Sequence, residues 1–260
     1  MIDKIKKLEF DNEEFFILEG KISELQIAKS SQNLLEKIDG RIKGGSIAVG
    51  TVAALTDMHG VLANSLTLSL YDGEDLFNFA GLVEGYIVFG SFSKADKIKN
   101  EDKVRIVVSK RGEALYVHSL LKLEDHLLLL PLMVFSGDKA FFRSCMKFAW
   151  RCCLLVWTFL IVCLYFSLDQ KFYSSDKVVF VAILVFVLPL FFFPFEYRSY
   201  KSMRYYGLYG SAIFKAYDLP RPDDIDIRSG MTHYKDESYG FGGINLETAL
   251  EGHRKKYGIN

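Results

Sequence analysis

Two long apolar runs without a single charge constrain this chain more than any other feature. Cys152–Leu168 reads CCLLVWTFLIVCLYFSL, and Val178–Phe195 reads VVFVAILVFVLPLFFFPF. A helix needs about 20 mainly apolar residues, within a range of about 17–25, to cross a hydrocarbon core about 30 Å thick. Counting Phe148–Trp150 and Tyr197 as interfacial turns, the spans are expected at about 148–168 and 178–197. The competing reading is a pair of core helices in a soluble protein; two such runs in tandem, with aromatic ends, argue against it.

The connection Asp169–Lys177 (DQKFYSSDK) is short and polar, so the two helices must be antiparallel neighbours. Lys139, Arg143, Lys147 and Arg151 precede the pair and Arg198, Lys201 and Arg204 follow it, seven cations against Lys171 and Lys177 in the turn. The excess of Lys and Arg in short flanks marks the cytoplasmic side. The expected location is a bacterial inner membrane, crossed twice, with both termini cytoplasmic. Trp150 and the seven flanking cations are the candidate membrane-interface residues. Positions 139, 143, 147 and 151 recur every fourth residue and form one stripe on a helix. That stripe suits anionic headgroups, and its alternative is a solvated charged face. Pro189 and Pro194 interrupt the second run and would free carbonyls there. No ionisable Asp, Glu, Lys or Arg inside either run marks an ion route, so a pore would require several copies.

The remaining composition is balanced: Lys+Arg and Asp+Glu each number 32 in 260 residues, which leaves no global field to draw nucleic acid. Ahead of the apolar runs the pattern has period two. Ser65–Tyr71 alternates Leu with Ser or Thr, and Lys103–Ser109 alternates through Val104, Ile106 and Val108. Lys110-Arg111-Gly112-Glu113 then reads as a hairpin loop into Ala114–Leu121. Phe15–Ala28, Leu82–Phe89 and Leu127–Leu130 are further strand candidates. The expected fold is an α+β membrane protein: a small antiparallel β-barrel or sandwich, a transmembrane helix hairpin and a helical C-terminal region. Its divisions are 1–136 (cytoplasmic β-rich domain), 137–205 (basic lead-in helix and hairpin) and 206–260 (polar helical region and tail). Gly44–Leu55 (GGSIAVGTVAAL) is too short to span; core helix or buried loop is the default, and a membrane-inserting segment the sharper alternative.

Signals for catalysis are weak. His59, His118, His126, His233 and His253 are dispersed and form no metal-binding motif. His118 and His126 are expected at the surface beside strand edges. Cys145, Cys152, Cys153 and Cys163 cluster around the first run without ligand spacing and read as packing thiols. The acidic group Asp223, Asp224 and Asp226 follows a proline turn, where carboxylates are usually caps or solvated. Glu247–Lys256 reads as a last polar helix or a disordered tail. The expectation is a non-enzyme with no catalytic, cofactor or metal residues, whose partners are the lipid bilayer and a protein, another chain or a further copy, rather than nucleic acid.

Several segments in order carry a family likeness. Gly85–Pro131 combines a Gly-Tyr strand, the run Lys-Asn-Glu-Asp-Lys-Val-Arg-Ile-Val-Val and a hairpin; Ala212–Ala216, Leu219-Pro220 and Asp223–Ile227 follow. With Gly44–Leu55 these resemble a family of bacterial membrane proteins described as type VI secretion system effectors. The resemblance implies interbacterial antagonism: delivery into a neighbouring cell and insertion into its inner membrane, with permeabilisation. It brings no catalytic residues. The rival reading is a resident inner-membrane immunity or accessory protein whose β domain binds a protein. A third is a membrane-tethered sensor with a ligand inside the β domain.

Overall fold

The computed structural model describes residues 8–10, 13–29, 76–112, 114–131, 133–167, 174–230 and 244–258, with backbone alone at 8–9, 163–167, 174–186 and 229–230. The expected strand Ser65–Tyr71, the segment Gly44–Leu55 and most of the turn between the apolar runs lie outside the described residues. The chain is α+β. Strands β1 (Leu8–Phe10), β2 (Glu13–Ala28), β3 (Phe77–Val83), β4 (Tyr86–Phe92), β5 (Lys103–Arg111), β6 (Ala114–Lys122) and β7 (Leu127–Leu129) come first. Helices α1 (Asp138–Ser167) and α2 (Ser174–Ala216) follow, then β8 (Ile244–Asn245) and helix α3 (Leu246–Tyr257).

Five strands close on themselves. β2 pairs with β3 and with β5, β3 with β4, β4 with β6, and β5 with β6; only the β4–β6 pair is parallel. Closure removes exposed edges, which would otherwise template pairing with other chains. The circuit β2-β3-β4-β6-β5 is the strand order of OB-type Greek-key barrels. The long first strand serves both halves of the barrel. Phe16–Lys21 pairs with β5 and Ile22–Ala28 with β3, and the register slips between Ser23 and Gln26, where Glu24 takes a positive φ of 51°. A bulge of this kind bends the strand so that one segment can turn a barrel corner.

The expected strand Leu82–Phe89 is instead the heart of a hairpin. Val83 pairs with Tyr86, and Glu84 (φ 50°) and Gly85 (φ 80°) make the turn between them. Two consecutive positive φ values match the right-handed twist of the flanking strands.

Two apolar cores share the barrel wall. The interior holds Ile22, Phe79, Val83, Val88, Phe92, Val104, Ile106, Val108, Val117 and Leu120. These side chains occupy the space a ligand would need, which counts against a sensor with a ligand inside the barrel. On the outer face Phe15, Val107, Leu121 and Leu128 pack with Ile213 and Phe214 of α2 and Leu250 of α3. β7 shows the division in three residues: Leu127 and Leu129 point inward, Leu128 outward. Successive strand residues face opposite sides, and here both sides are covered. The C-terminal segment contributes to the same body, for β8 adds to the sheet through Leu127↔Asn245 and Leu128↔Ile244. Position 206, expected to begin a separate region, falls inside α2.

α1 and α2 pack as an antiparallel pair. Phe142 meets Tyr200 at 5.0 Å between ring centroids, and Trp150 meets Phe193 at 5.3 Å, so α1 advances as α2 returns. α2 continues through Pro189 and Pro194 without a break in its helix. Among the described residues, the stretch Asp138–Val162 of α1 is long and apolar enough to cross a membrane.

Candidate functional site

The polar chemistry of the described residues gathers in two places: the contact between barrel and α2, and a cleft along the first turns of α1. At the contact, His118 of β6 lies between two hydroxyls. Its Nδ1 is 2.5 Å from the Tyr209 hydroxyl and its Nε2 is 2.7 Å from Ser109 Oγ. Ser109 Oγ donates to Glu13 Oε2 at 2.8 Å, and Glu13 is also held by Arg111. Because the serine proton is committed to Glu13, the imidazole donates from Nε2 and accepts the Tyr209 proton at Nδ1. Burial, aided by the nearby Arg111 charge, lowers the His118 pKa to about 3, so the ring is neutral at pH 7. Burial likewise pushes the Tyr209 hydroxyl well above its ordinary value.

His118 is therefore not the surface residue its strand position suggested; α2 covers it. A serine and a histidine at hydrogen-bond distance resemble a nucleophile and its base, but here the serine proton points away from the imidazole. The network, together with Ser119 donating to the Tyr217 hydroxyl at 3.0 Å, docks α2 on the barrel.

The cleft begins where α1 does. The Asp138 carboxylate accepts from the Tyr200 hydroxyl at 2.8 Å and pairs with Arg204 at 3.4 Å, which ties the start of α1 to α2. Glycine permits the tight approach just before it: a Cβ at Gly137 would collide with the Pro222 carbonyl. That contact brings the turns Pro222–Asp224 and Ile227–Gly230 against the basic stripe of α1.

Asp224 is the hub. It accepts from Arg143 at 2.5 Å, from Arg221 at 3.2 Å and from the Tyr257 hydroxyl at 3.5 Å, joining α1, the turn and α3. Burial alone would push its carboxyl up, but the Arg143 hydrogen bond and charge outweigh it, with Arg221 and Lys139 adding to the effect, and hold it below the usual carboxylate range. Asp224 is thus buried rather than solvated, contrary to the expectation for acidic residues after a proline turn. Asp226 is gripped by Arg228 at 2.8 and 2.5 Å, and the same guanidinium donates to Ser144 Oγ at 3.0 Å.

The resulting open cleft has a volume of about 620 Å³. Arg143, Lys147 and Arg151 of α1 line one wall, Arg228 the floor, and His253, Lys256 and Tyr257 of α3 the other wall. His253, lowered by burial, donates from Nε2 to the Pro220 carbonyl at 3.1 Å and adds no charge at pH 7.

The eight candidate interface residues separate into groups. Lys139 pairs with Asp223 at 3.7 Å, Arg143 with Asp224, and Arg204 with Asp138. Lys147 and Arg151 line the cleft and have no carboxylate partner among the described residues. Arg198 and Lys201 are exposed on α2, and Trp150 is half exposed against Trp157 and Phe193. No spacing rule pointed to the cleft, since its walls come from segments far apart in sequence. In comparisons with known proteins, no family model, curated protein or solved structure matches the chain.

Proposed function

We propose that this chain is a bacterial inner-membrane protein whose helix pair crosses the bilayer twice and holds the barrel at the cytoplasmic face. One observation carries the reading: the apolar side chains of the pair point away from the protein. Leu155 (71% exposed), Phe159 (67%), Leu190 (73%) and Phe191 (68%) form an outward belt that water would penalise. At 1.5 Å per residue, the 30 residues of α1 extend about 45 Å, longer than a hydrocarbon core of about 30 Å. The excess corresponds to the charged first turns, which carry the cleft and contact the barrel side. Alkaline extraction tests insertion, with retention in the membrane pellet expected and release into the supernatant overturning it. Topology reporters at Ser174 and at the C-terminus should report opposite sides; same-side signals would sink the double crossing.

For the role of the anchored barrel, the geometry supports a resident protein that presents the barrel to a protein partner. The helix runs carry no charge, and the barrel is docked on α2 by a buried apolar face and the His118 network. The second reading is the antagonism implied by the family resemblance, in which several copies assemble in a target cell's membrane and permeabilise it. Inducing the chain without its genetic neighbours discriminates them. Unchanged growth and membrane potential support the resident reading, and collapse of the potential supports the effector.

A further inference from the structure

We propose that the cleft along α1 is a binding site for a phosphate-bearing anion, and that the phosphate is the headgroup of an anionic phospholipid. The inference rests on the membrane reading above and adds a ligand to it. The charge count inside the cleft is the first argument. Asp224 is neutralised by Arg143 and Arg221, and Asp226 by Arg228, so both carboxylates in the lining are already satisfied. Lys147, Arg151 and Lys256 remain, three cations converging from two helices on one cavity. Like charges are brought together at a cost, which an anion between them removes.

Geometry is the second argument. Lys147 and Arg151 are one helical turn apart, with Cβ atoms roughly 5–6 Å from each other, a span that one phosphate can bridge. Arginine offers a planar fork that matches phosphate oxygens, and lysine a point charge beside it. Lys256 stands on the facing wall, its Nζ 5.0 Å from the Tyr257 ring. The Arg143–Asp224–Tyr257 contacts hold the two walls at a fixed separation, so the site is formed before the ligand arrives.

Position selects the lipid over a free anion. Arg151 directly precedes the uncharged run that begins at Cys152. Phe148, also lining the cleft, is 55% exposed, and Leu154 and Leu155 continue the apolar surface about two turns onward. A headgroup in the cleft would place its acyl chains along that surface. Basic pockets at the cytoplasmic end of membrane helices recognise such headgroups.

The test uses the full chain in a neutral detergent, titrated with short-chain phosphatidylglycerol, with phosphatidylcholine of the same chain length, and with inorganic phosphate, followed by tryptophan fluorescence. Phosphatidylglycerol should bind at least about tenfold tighter than phosphatidylcholine, and inorganic phosphate far more weakly than phosphatidylglycerol. The double variant Lys147→Gln/Arg151→Gln should weaken phosphatidylglycerol binding by roughly ten- to thirtyfold. Arg198→Gln/Lys201→Gln, which removes equal charge outside the cleft, should weaken it clearly less.

Equal affinity for the two lipids, or an unchanged cleft variant, overturns the proposal. Inorganic phosphate binding as tightly as phosphatidylglycerol overturns the lipid assignment. Alkaline extraction of the same proteins separates this from the membrane reading. If wild type and cleft variant both stay in the pellet while lipid preference is absent, the cleft proposal alone fails. If the wild type is released, the membrane reading fails and this inference falls with it.

Discussion

The barrel and the helix pair are built from similar apolar residues yet dispose of them in opposite ways. In the barrel, Phe79 and Phe89 are fully buried, one face of the strands fills the interior, and part of the other face packs beneath α2. In the helix pair, phenylalanines and leucines of the same size look outward, and only 11% of the most apolar stretch of α1 is buried. The barrel satisfies its apolar surface with itself. The helix pair satisfies little of its own, so its stability depends on the solvent around it, and a bilayer is the solvent that suits it. α2 belongs to both regimes, exposing Leu190 and Phe191 at one end and burying Ile213 and Phe214 at the other.

Alanine substitutions along α2 and α1 break or sharpen that contrast most strongly. Phe214→Ala opens a cavity in the core between helix and barrel and should cost about 3–5 kcal/mol. Phe159→Ala removes a side chain that meets no such core and should change stability in detergent by no more than about 0.5 kcal/mol. Thermal melts in one detergent measure both, and comparable losses at the two sites would erase the distinction.

A charge on the outward face probes the other regime. Leu155→Lys should cost about 2.5–3.5 kcal/mol of insertion free energy if the residue lies near mid-bilayer, and less towards the interface. The expected result is a reduced membrane fraction with barrel stability retained. Full retention in the membrane would show that position 155 does not meet hydrocarbon.

A smaller loss is expected at the hub of the cleft. Arg143→Ala leaves the buried Asp224 carboxylate with Arg221 as its remaining ion-pair partner and should cost about 1–3 kcal/mol. Its pH signature has a defined sign. The Asp224 carboxyl is held below its unfolded value of about 3.9, so the stabilisation is complete above that pH and is lost as pH falls through the depressed folded value. The variant should therefore lose less stability than wild type on acidification below about pH 4, as followed by unfolding at a series of pH values.

What the sequence discloses divides along the same line. The long apolar helices are legible because their length and composition are properties that one pass along the chain detects. β5 and β6 are legible because Val104, Ile106 and Val108 alternate and Lys110–Gly112 marks their turn. The β3–β4 hairpin is not, because its turn is Glu84-Gly85 rather than the Asn-Gly or Asp-Gly pair that signals a tight hairpin. The burial of His118 and Asp224 is hidden from the sequence for one shared reason. His118 is a polar residue in a strand and Asp224 follows a proline turn, whereas their burial comes from α2 and from α1 and α3, which tertiary packing alone brings there. The cleft is illegible for the same cause, although Arg143, Lys147 and Arg151 on one of its walls belong to the stripe of four-residue spacing.

The last expected effect is a slope with pH rather than a single loss, and it belongs to the junction where the two regimes meet. His118 is neutral in the folded state, with a pKa lowered from 6.5 to about 3, while in the unfolded chain it takes up a proton near its ordinary value. The unfolded state thus gains protonation free energy as pH falls below about 6.5, and stability declines until the folded value is reached. One proton limits the slope to about 1.4 kcal/mol per pH unit. Between pH 6.5 and about 4.5 most carboxylates remain ionised, so histidines dominate this window, and comparison with a variant separates His118 from His253, whose pKa burial also lowers. His118→Gln retains hydrogen bonding but cannot titrate, and its stability should be flatter with pH across the window even if its absolute stability is lower. Equal slopes in wild type and variant would mean that the imidazole takes up its proton as readily in the folded protein as in the unfolded chain. Both ring nitrogens of that imidazolium would donate, so Tyr209 would accept at Nδ1 rather than donate, and the account of how α2 is held to the barrel would change with it.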